Sequence, residues 1–198
     1  MPRMADAGVD GASRTAGFEP SSRVEELDRR AFDAVANWKS PILDRAMPAL
    51  SIAASYSRLW VGVSVVFAVV GGPKGRKTAV EGMVTIGVTS VLANLVGKNL
   101  VRRIRPTDPV PEGRRLTQPE SSSFPSGHTA SAAAYSGIVD RAYPELWLPI
   151  NGLASAVGFS RVYTGVHYPG DVFAGWVLGK TVAFVTSRIF NRIAWEPS

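Results

Sequence analysis

The amino-acid sequence predicts an all-α, membrane-embedded helical bundle of about five transmembrane helices, preceded by an N-terminal amphipathic helix at the membrane interface. Hydrophobic residues account for 45% of the 198 residues, and they are concentrated in five separate stretches. Each stretch is apolar around most of its helical circumference, whereas the helices of soluble bundles usually keep a polar outer face. A long polar segment, rich in Pro, Arg, Ser and Thr, separates the second stretch from the third.

The composition limits the chemistry that the chain can perform. It has no cysteine, which excludes disulfides, thiolate nucleophiles and zinc–cysteine sites, and its two histidines are His128 and His167. The 22 Lys and Arg residues outnumber the 16 Asp and Glu residues, giving a net charge of +6 that suits an anionic lipid or a phosphorylated substrate. The basic residues are scattered and lack aromatic interleaving, so we expect no nucleic-acid partner.

The chain divides into a short head and one domain. Residues 1–20 mix small and polar residues without apolar periodicity, which predicts a flexible polar head. No apolar stretch follows the first basic residues, so no signal peptide is predicted. Residues 21–198 are predicted to form a single domain.

The domain opens with a predicted amphipathic helix over about residues 22–38. Ser22 and Glu25 have the spacing of a capping box. Apolar residues then recur at helical intervals: Val24, Leu27, Ala31, Val35 and Trp38. Charged residues occupy the opposite face: Glu26, Asp28, Arg29 and Arg30. Such a helix lies on an apolar surface, which is either the membrane interface or a soluble core.

The predicted membrane bundle occupies about residues 46–192. Its apolar stretches cover residues 47–72, 82–97, 127–139, 146–158 and 172–190. Most uncharged cores are about 13–16 residues long, shorter than the roughly 20 of an unambiguous span, so a soluble helical core is the alternative. Small residues such as Gly175 and Gly179 would let membrane helices approach closely. The polar segment 102–126 is too polar to cross a bilayer and is predicted to be a functional surface loop.

Three clusters of polar residues lie at the ends of the apolar stretches. The first contains Lys98 and Arg105, which are seven residues apart and would project from one face of a helix that Pro106 ends. Two cations on one face suit an anion with several oxygen atoms. A basic cluster that merely flanks a membrane span has the same composition, and it is the alternative.

The second cluster opens the third stretch with Pro125, Ser126, Gly127 and His128. Ser126 suits the N-cap position, Gly127 lets a ligand approach the backbone, and the N–H groups of a helix N-terminus attract anions. His128 in the first turn could deliver a proton to a group bound there. A capped helix with an incidental histidine is the alternative.

The third cluster joins the fourth and fifth stretches. Pro169 suits an early helical position, which puts His167 just before a helix and Asp171 in its first turn. A carboxylate on one ring nitrogen of His167 fixes the tautomer and leaves the other nitrogen nucleophilic. Arg161 adds a bidentate donor for oxyanions. In an up-down bundle all three clusters fall on the same side, so we expect them to form one site.

Together the clusters resemble the tripartite signature of the type 2 phosphatidic acid phosphatase family, K-x6-R-P, P-S-G-H and S-R-x5-H-x3-D. All eleven positions agree in order: Lys98, Arg105, Pro106, Pro125, Ser126, Gly127, His128, Ser160, Arg161, His167 and Asp171. The resemblance covers about residues 36–190, and the head has no counterpart in it.

The resemblance implies a metal-independent phosphatase that works through a phosphohistidine, so no cofactor and no metal site are expected. His167 would attack phosphorus, and Asp171 would orient the ring and stabilise the imidazolium. His128 would protonate the leaving oxygen and then activate water. The implied phosphate-binding groups are Lys98, Arg105, Ser126, the Gly127 amide and Arg161. Phosphoryl transfer needs chiefly positioning and charge stabilisation, which these groups can supply.

The resemblance also implies a multi-pass protein of the cell membrane, whose partners are membrane lipids and a lipid phosphate substrate. The substrates considered are phosphatidic acid, phosphatidylglycerol phosphate and a polyprenyl phosphate or diphosphate carrier, and a homodimer is left open. A vanadate-dependent haloperoxidase and a soluble acid phosphatase share the constellation and are the alternatives. The missing signal peptide argues against the second. The intact histidine pair argues against a non-catalytic lipid-binding protein.

Overall fold

The computed structural model describes residues 22–99, 101–107 and 110–192, with the side chains of residues 96–99 excepted. Within these ranges the chain is all-helical, as the sequence predicts, and it forms seven α-helices. They are α1 (Arg23–Ala36), α2 (Pro41–Ala53), α3 (Arg58–Val70), α4 (Gly72–Asn99), α5 (Gly127–Ala142), α6 (Trp147–Tyr163) and α7 (Pro169–Arg192). The predicted head, residues 1–20, lies outside the described residues.

Helix α1 begins where the capping pattern predicts. The Ser22 Oγ accepts a hydrogen bond from the Glu25 N–H at 3.2 Å. The helix packs on the rest of the protein through Phe32, which is fully buried, and Ala36. These two residues are one helical turn apart, so they form a row along the axis.

The predicted apolar face of α1 is a neighbouring row that the described residues cover only in part, since Val35 packs against the core. Val24 is 74% exposed and Leu27 is 64% exposed. The prediction that Asp28 belongs to the opposite, charged face is wrong, because its side chain is only 8% exposed and is ion-paired within the protein. Asp28 precedes Phe32 by one turn and therefore continues the packed row.

The first apolar stretch forms two helices instead of one. α2 and α3 are bent by 66° from each other, at a break where Tyr56 and Ser57 take positive φ values of 53° and 59°. Non-glycine residues in this left-handed region are strained, so packing must hold the break in place. The break brings Ser51 and Ser55 to the polar ends of α6 and α5, respectively.

Helix α5 lies at the centre of the bundle, where residues 129–139 are all buried. Helix α7 packs on it at very short range. A Cβ atom on Gly175 would lie 2.5 Å from the Ser126 carbonyl oxygen, and one on Gly179 would collide with the Ala130 carbonyl oxygen. The prediction that small residues allow close helix approach is therefore confirmed at both glycines.

Judged by helix length and composition, fewer segments of the described chain can cross a membrane than the five that the sequence predicts. Two segments are long and apolar enough to cross a membrane, Gly72–Leu95 and Pro169–Arg192, and the bent α2–α3 pair would make a third if it is one span. α5 and α6 have 16 and 17 residues, fewer than the roughly 20 expected of a span. Five spans are thus not confirmed within the described residues.

Candidate active site

A pocket of about 400 Å³ lies where the polar ends of the helices meet. All three predicted clusters contribute to its lining: Arg105, Pro125, Gly127, His128, Arg161 and His167. The prediction that these clusters meet on one side of the bundle is therefore confirmed for these residues. The α2–α3 break and α4 supply the other walls, which include Ser57, Ser90 and Asn94.

His167 and Asp171 form a buried pair behind the pocket. Their side chains are 4% and 0% exposed, and His167 Nδ1 lies 3.5 Å from Asp171 Oδ2, which is longer than an ideal hydrogen bond. Helix α7 begins at Pro169, as predicted, so Asp171 lies in its first turn. The Tyr168 N–H donates to Asp171 Oδ2 at 3.0 Å and fixes the carboxylate on the segment that carries His167.

The tautomer of the His167 ring follows from the contact that its second nitrogen, Nε2, makes. Nε2 lies 3.2 Å from Nη1 of Arg105. A guanidinium can only donate, so Nε2 must accept and Nδ1 must carry the proton that faces Asp171. Burial, together with the charges of Arg161 and Arg105, lowers the pKa of His167 below its ordinary value, although Asp171 opposes the shift. The ring is therefore neutral at neutral pH, with the lone pair of Nε2 directed at Arg105, which also lines the pocket.

His128 lies at the start of α5 and also lines the pocket. Its Nε2 lies 3.4 Å from the Oγ of Ser55. A hydroxyl group can donate to the ring or accept from it, so this contact orients His128 in either protonation state.

Arg105 does not lie on the helix that carries Lys98, so the prediction of one shared helical face is wrong. α4 ends at Asn99, and residues 101–107 are not helical. The returning loop binds this segment instead, since the Arg103 N–H donates to Ser122 Oγ at 3.1 Å and the Ser123 N–H donates to the Arg103 carbonyl at 2.9 Å. Lys98 belongs to the last turn of α4, but its side chain lies outside the described residues.

Neutral oxygens hold the two arginines of the pocket. Arg105 donates to the carbonyl oxygens of Pro119, Ser121, Ser122 and Val166 at 3.0–3.2 Å. Arg161, which is 5% exposed, donates from one terminal nitrogen to the hydroxyl of Ser51, and its Nε has no hydrogen-bond partner in the described part of the chain.

Ser126 and Gly127 differ in their access to the pocket. Ser126 takes the predicted N-cap position, but its side chain makes no capping hydrogen bond and is fully buried. Its Oγ accepts a hydrogen bond from Thr129 at 3.0 Å. Gly127 lines the pocket, and a Cβ atom there would meet nothing within 4 Å. The backbone at Gly127 is thus open to a ligand.

Sequence reasoning missed four residues that support the site: Asp28, Ser51, Ser55 and Arg103. Arg103 donates to Asp171 Oδ1 at 2.7 Å and to Asp28 as well. Asp28 lies on a helix with no long apolar run, and Ser51 and Ser55 lie beside a helix break. None of the three belongs to a spacing pattern that would identify it from the sequence. Only the preference of a buried carboxylate for a cation could have suggested a partner for Asp171.

Residues 79–195 match the family model described as the PAP2 superfamily. The chain belongs to the PAP2 superfamily. The PAP2 match contains all three polar clusters, while α1, α2 and α3 precede it.

Named relatives agree with this assignment. The chain is 31% identical to an undecaprenyl-diphosphatase of Sulfolobus acidocaldarius, over 68% of this chain and 66% of that protein. It is 38% identical to a decaprenylphosphoryl-5-phosphoribose phosphatase of Mycobacterium tuberculosis, over 52% of this chain and 55% of that protein. The chain thus matches between about half and two thirds of the length of these relatives. The crystal structure of a transmembrane PAP2-type phosphatidylglycerolphosphate phosphatase from Bacillus subtilis superposes with a TM-score of 0.68 at 26% identity, covering 88% of this chain and 89% of that one.

Proposed function

We propose that this PAP2 protein is an integral-membrane phosphatase that hydrolyses a lipid phosphate or diphosphate through a phosphohistidine, without a metal ion. The observation that carries the proposal is the pair of histidines on one pocket, with Nε2 of His167 3.2 Å from Nη1 of Arg105. The names of the relatives, which include an undecaprenyl-diphosphatase, support a lipid-linked substrate.

In the first step, Arg105 exchanges its contact with His167 Nε2 for a phosphate oxygen. The freed lone pair of Nε2 forms a bond to phosphorus while the bond from phosphorus to the leaving oxygen breaks. The negative charge of the bound phosphate favours the protonated form of His128. His128 gives its proton to the leaving oxygen, which departs as a lipid alcohol or a lipid monophosphate. The imidazole of His167 becomes positively charged, and Asp171 behind it stabilises this charge.

In the second step, His128 takes a proton from water, and the resulting nucleophile attacks the phosphohistidine. The bond between nitrogen and phosphorus breaks, inorganic phosphate leaves, and His128 again carries the proton that it needs for the next turnover. Both proton transfers use one imidazole, so the cycle closes without any further acid or base.

The phosphate oxygens would be held by Arg105, Arg161 and the Gly127 amide at the start of α5. Lys98 and Ser126 complete the predicted set, in which Lys98 would approach from the end of α4. Preorganised donors of this kind stabilise the charge of a transferring phosphoryl group in the way that a metal clamp does in other phosphatases.

The membrane arrangement is part of the proposal. We place α3 to α7 across the bilayer, with the short helices α5 and α6 packed among the longer ones, and α1 at the interface beside the site. Exposed apolar side chains support contact with lipid: Val65, Val69, Val88, Val91, Phe173 and Val177 are 41–75% exposed. The substrate chain would lie between helices while its headgroup enters the pocket from the interface.

The test is phosphate release by the purified protein in detergent and excess EDTA, with phosphatidic acid, phosphatidylglycerol phosphate and undecaprenyl diphosphate as substrates. We expect release from at least one, and none from the His167→Ala variant. Residual turnover by that variant would contradict the nucleophile assignment. Silence of the wild-type protein on every substrate, with bound vanadate and halide oxidation instead, would favour the haloperoxidase alternative.

A further inference from the structure

We propose that Asp28 of α1 is a positioning residue for the His167–Asp171 pair and acts through Arg103. The inference rests on the role proposed above for Asp171. It assigns a part in turnover to a helix that precedes the region matched by the PAP2 family model.

Arg103 bridges the two carboxylates. Its Nη1 donates to Asp171 Oδ1 at 2.7 Å, and its Nη2 donates to Asp28 Oδ2 at 2.5 Å. The guanidinium is planar and rigid, so binding one carboxylate at each terminal nitrogen fixes the orientation of both. Asp28 therefore limits the positions that Arg103, and through it Asp171, can adopt.

Asp28 also holds the backbone turn on which Asp171 lies. Its Oδ1 accepts a hydrogen bond from the Gly170 N–H at 2.6 Å. This N–H belongs to the first turn of α7, where backbone donors have no partner within the helix. A Cβ atom on Gly170 would lie 2.8 Å from Asp28 Oδ2, so the glycine allows this close approach. One side chain thus contacts both the cation and the backbone that position the catalytic carboxylate.

Packing keeps α1 in register with this segment. The buried ring of Phe32 meets the Tyr168 ring edge-on, with centroids 5.4 Å apart. The Arg103 guanidinium lies over the Tyr168 ring, 4.5 Å from its centroid. Asp28 is one turn from Phe32 on the same side of α1, so the hydrophobic contact holds the acid in place.

The charges explain why an acid is needed at this position. Arg103 alone would neutralise Asp171 and weaken the field that stabilises the positive charge formed on His167. With Asp28 on its other side, the three groups carry a net charge of −1. His167 is otherwise faced by positive groups, Arg105 from the loop and Arg161 from α6, and by His128 from α5.

The test is the Asp28→Asn variant, with Asp33→Asn as its control, because Asp33 is exposed on the same helix. An Asn oxygen can still accept the Gly170 N–H, so the fold is preserved while the charge is lost. We expect kcat for the fastest substrate of the lipid panel to fall about 10-fold to 100-fold, as for loss of a hydrogen bond to a charged group, with KM little changed. Asp33→Asn should retain the wild-type kcat.

A double-variant comparison separates this inference from the proposed function. In an Asp171→Asn background, Asp28→Asn should cause no further loss of kcat, since the carboxylate on which it acts is gone. A fully additive loss, or an unchanged kcat for Asp28→Asn alone, would overturn the inference while leaving the role of Asp171 intact. An unchanged kcat for Asp171→Asn would instead overturn the proposed function.

A second measurement does not depend on turnover or on the substrate. In a His128→Gln background His167 is the single histidine, and NMR can follow its titration. Loss of the Asp28 charge should lower the pKa of His167 further, since a nearby negative charge favours the imidazolium. A merely structural loosening of α1 would admit water and raise the pKa toward its ordinary value. A rise, or no shift relative to Asp33→Asn, would overturn the inference.

Discussion

Replacing Asp171 by Asn tests whether the buried pair produces a nucleophile, as proposed. The substitution keeps the size of the side chain and removes its charge. Asp171 is fully buried and lies 3.5 Å from His167 Nδ1, so solvent does little to screen the interaction. The amide group of Asn can also present its NH₂ to Nδ1, which favours the tautomer protonated at Nε2 and thus blocks the attacking nitrogen.

The magnitude follows from the distance and the neighbours. At 3.5 Å and an effective dielectric constant of about 20, a full carboxylate charge would stabilise the proposed cationic phosphohistidine by about 4–5 kcal/mol. Arg103 binds the other oxygen of Asp171 at 2.7 Å and offsets part of this field. We therefore expect a net loss of about 2–4 kcal/mol, which is about a 30-fold to 1000-fold decrease in kcat.

The assay is steady-state phosphate release in detergent, with the unfolding temperature of each variant measured alongside. Asp140→Asn is the matched control, because Asp140 accepts a hydrogen bond from Lys180 at 2.8 Å near the far end of α5. The control should lose stability but keep kcat. A folded Asp171→Asn protein with less than a threefold decrease would show that Asp171 serves only the start of α7, and the reasoning above would be refuted.

Three further predictions concern other parts of the site and bundle. Ser55→Ala removes the hydroxyl 3.4 Å from His128 Nε2 and should lower kcat about twofold to tenfold, the value of one neutral hydrogen bond. Ser187→Ala removes a hydroxyl that donates to a carbonyl within α7, outside the pocket lining, and should not lower kcat. Gly179→Ala should destabilise the folded protein by about 1–3 kcal/mol in detergent unfolding, because the added methyl group overpacks α5 against α7. In the His128→Gln variant, the NMR titration midpoint of His167 should lie below the ordinary histidine value, since burial disfavours the charged ring.

Each of these predictions has a contradicting outcome. Equal losses for the two serine variants would mean that Ser55 only fills space. Gly87 has no neighbour within 4 Å of an added Cβ, so a Gly87→Ala variant as unstable as Gly179→Ala would refute the packing argument. A midpoint at or above the ordinary value would show that His167 is more hydrated than its contacts indicate, or that the negative charge of Asp171 is less offset by its neighbours.

The sequence predicted the site through residues whose spacing is fixed by chemistry. The four-residue spacing between His167 and Asp171 places a carboxylate one turn from an imidazole, and the structure has this arrangement. Extrapolating a helix from Lys98 to Arg105 failed, because hydrogen bonds from the returning loop end the helical pattern at Asn99. Local spacing cannot reveal which backbone groups a distant loop will bind.

The sequence likewise predicted only part of the fold. Apolar stretches identified the helices, but the 66° bend between α2 and α3 depends on two non-glycine residues in the left-handed region, Tyr56 and Ser57. No composition signal marks such a break, because these residues adopt it only under tertiary constraint. The bend places Ser51 and Ser55 beside the pocket, so these two of the missed residues share one physical cause.

The supporting residues also explain how the pocket keeps its positive charge. Among the described residues, neither Arg105 nor Arg161 forms an ion pair; carbonyl and hydroxyl oxygens hold them in place. An acid in contact with either would compete with phosphate for the same donors. The carboxylates of Asp171 and Asp28 lie instead beyond His167, around Arg103. Positive charge thus lines the pocket and negative charge lies beyond His167, which is the polarity that the proposed phosphoryl transfer to His167 would require.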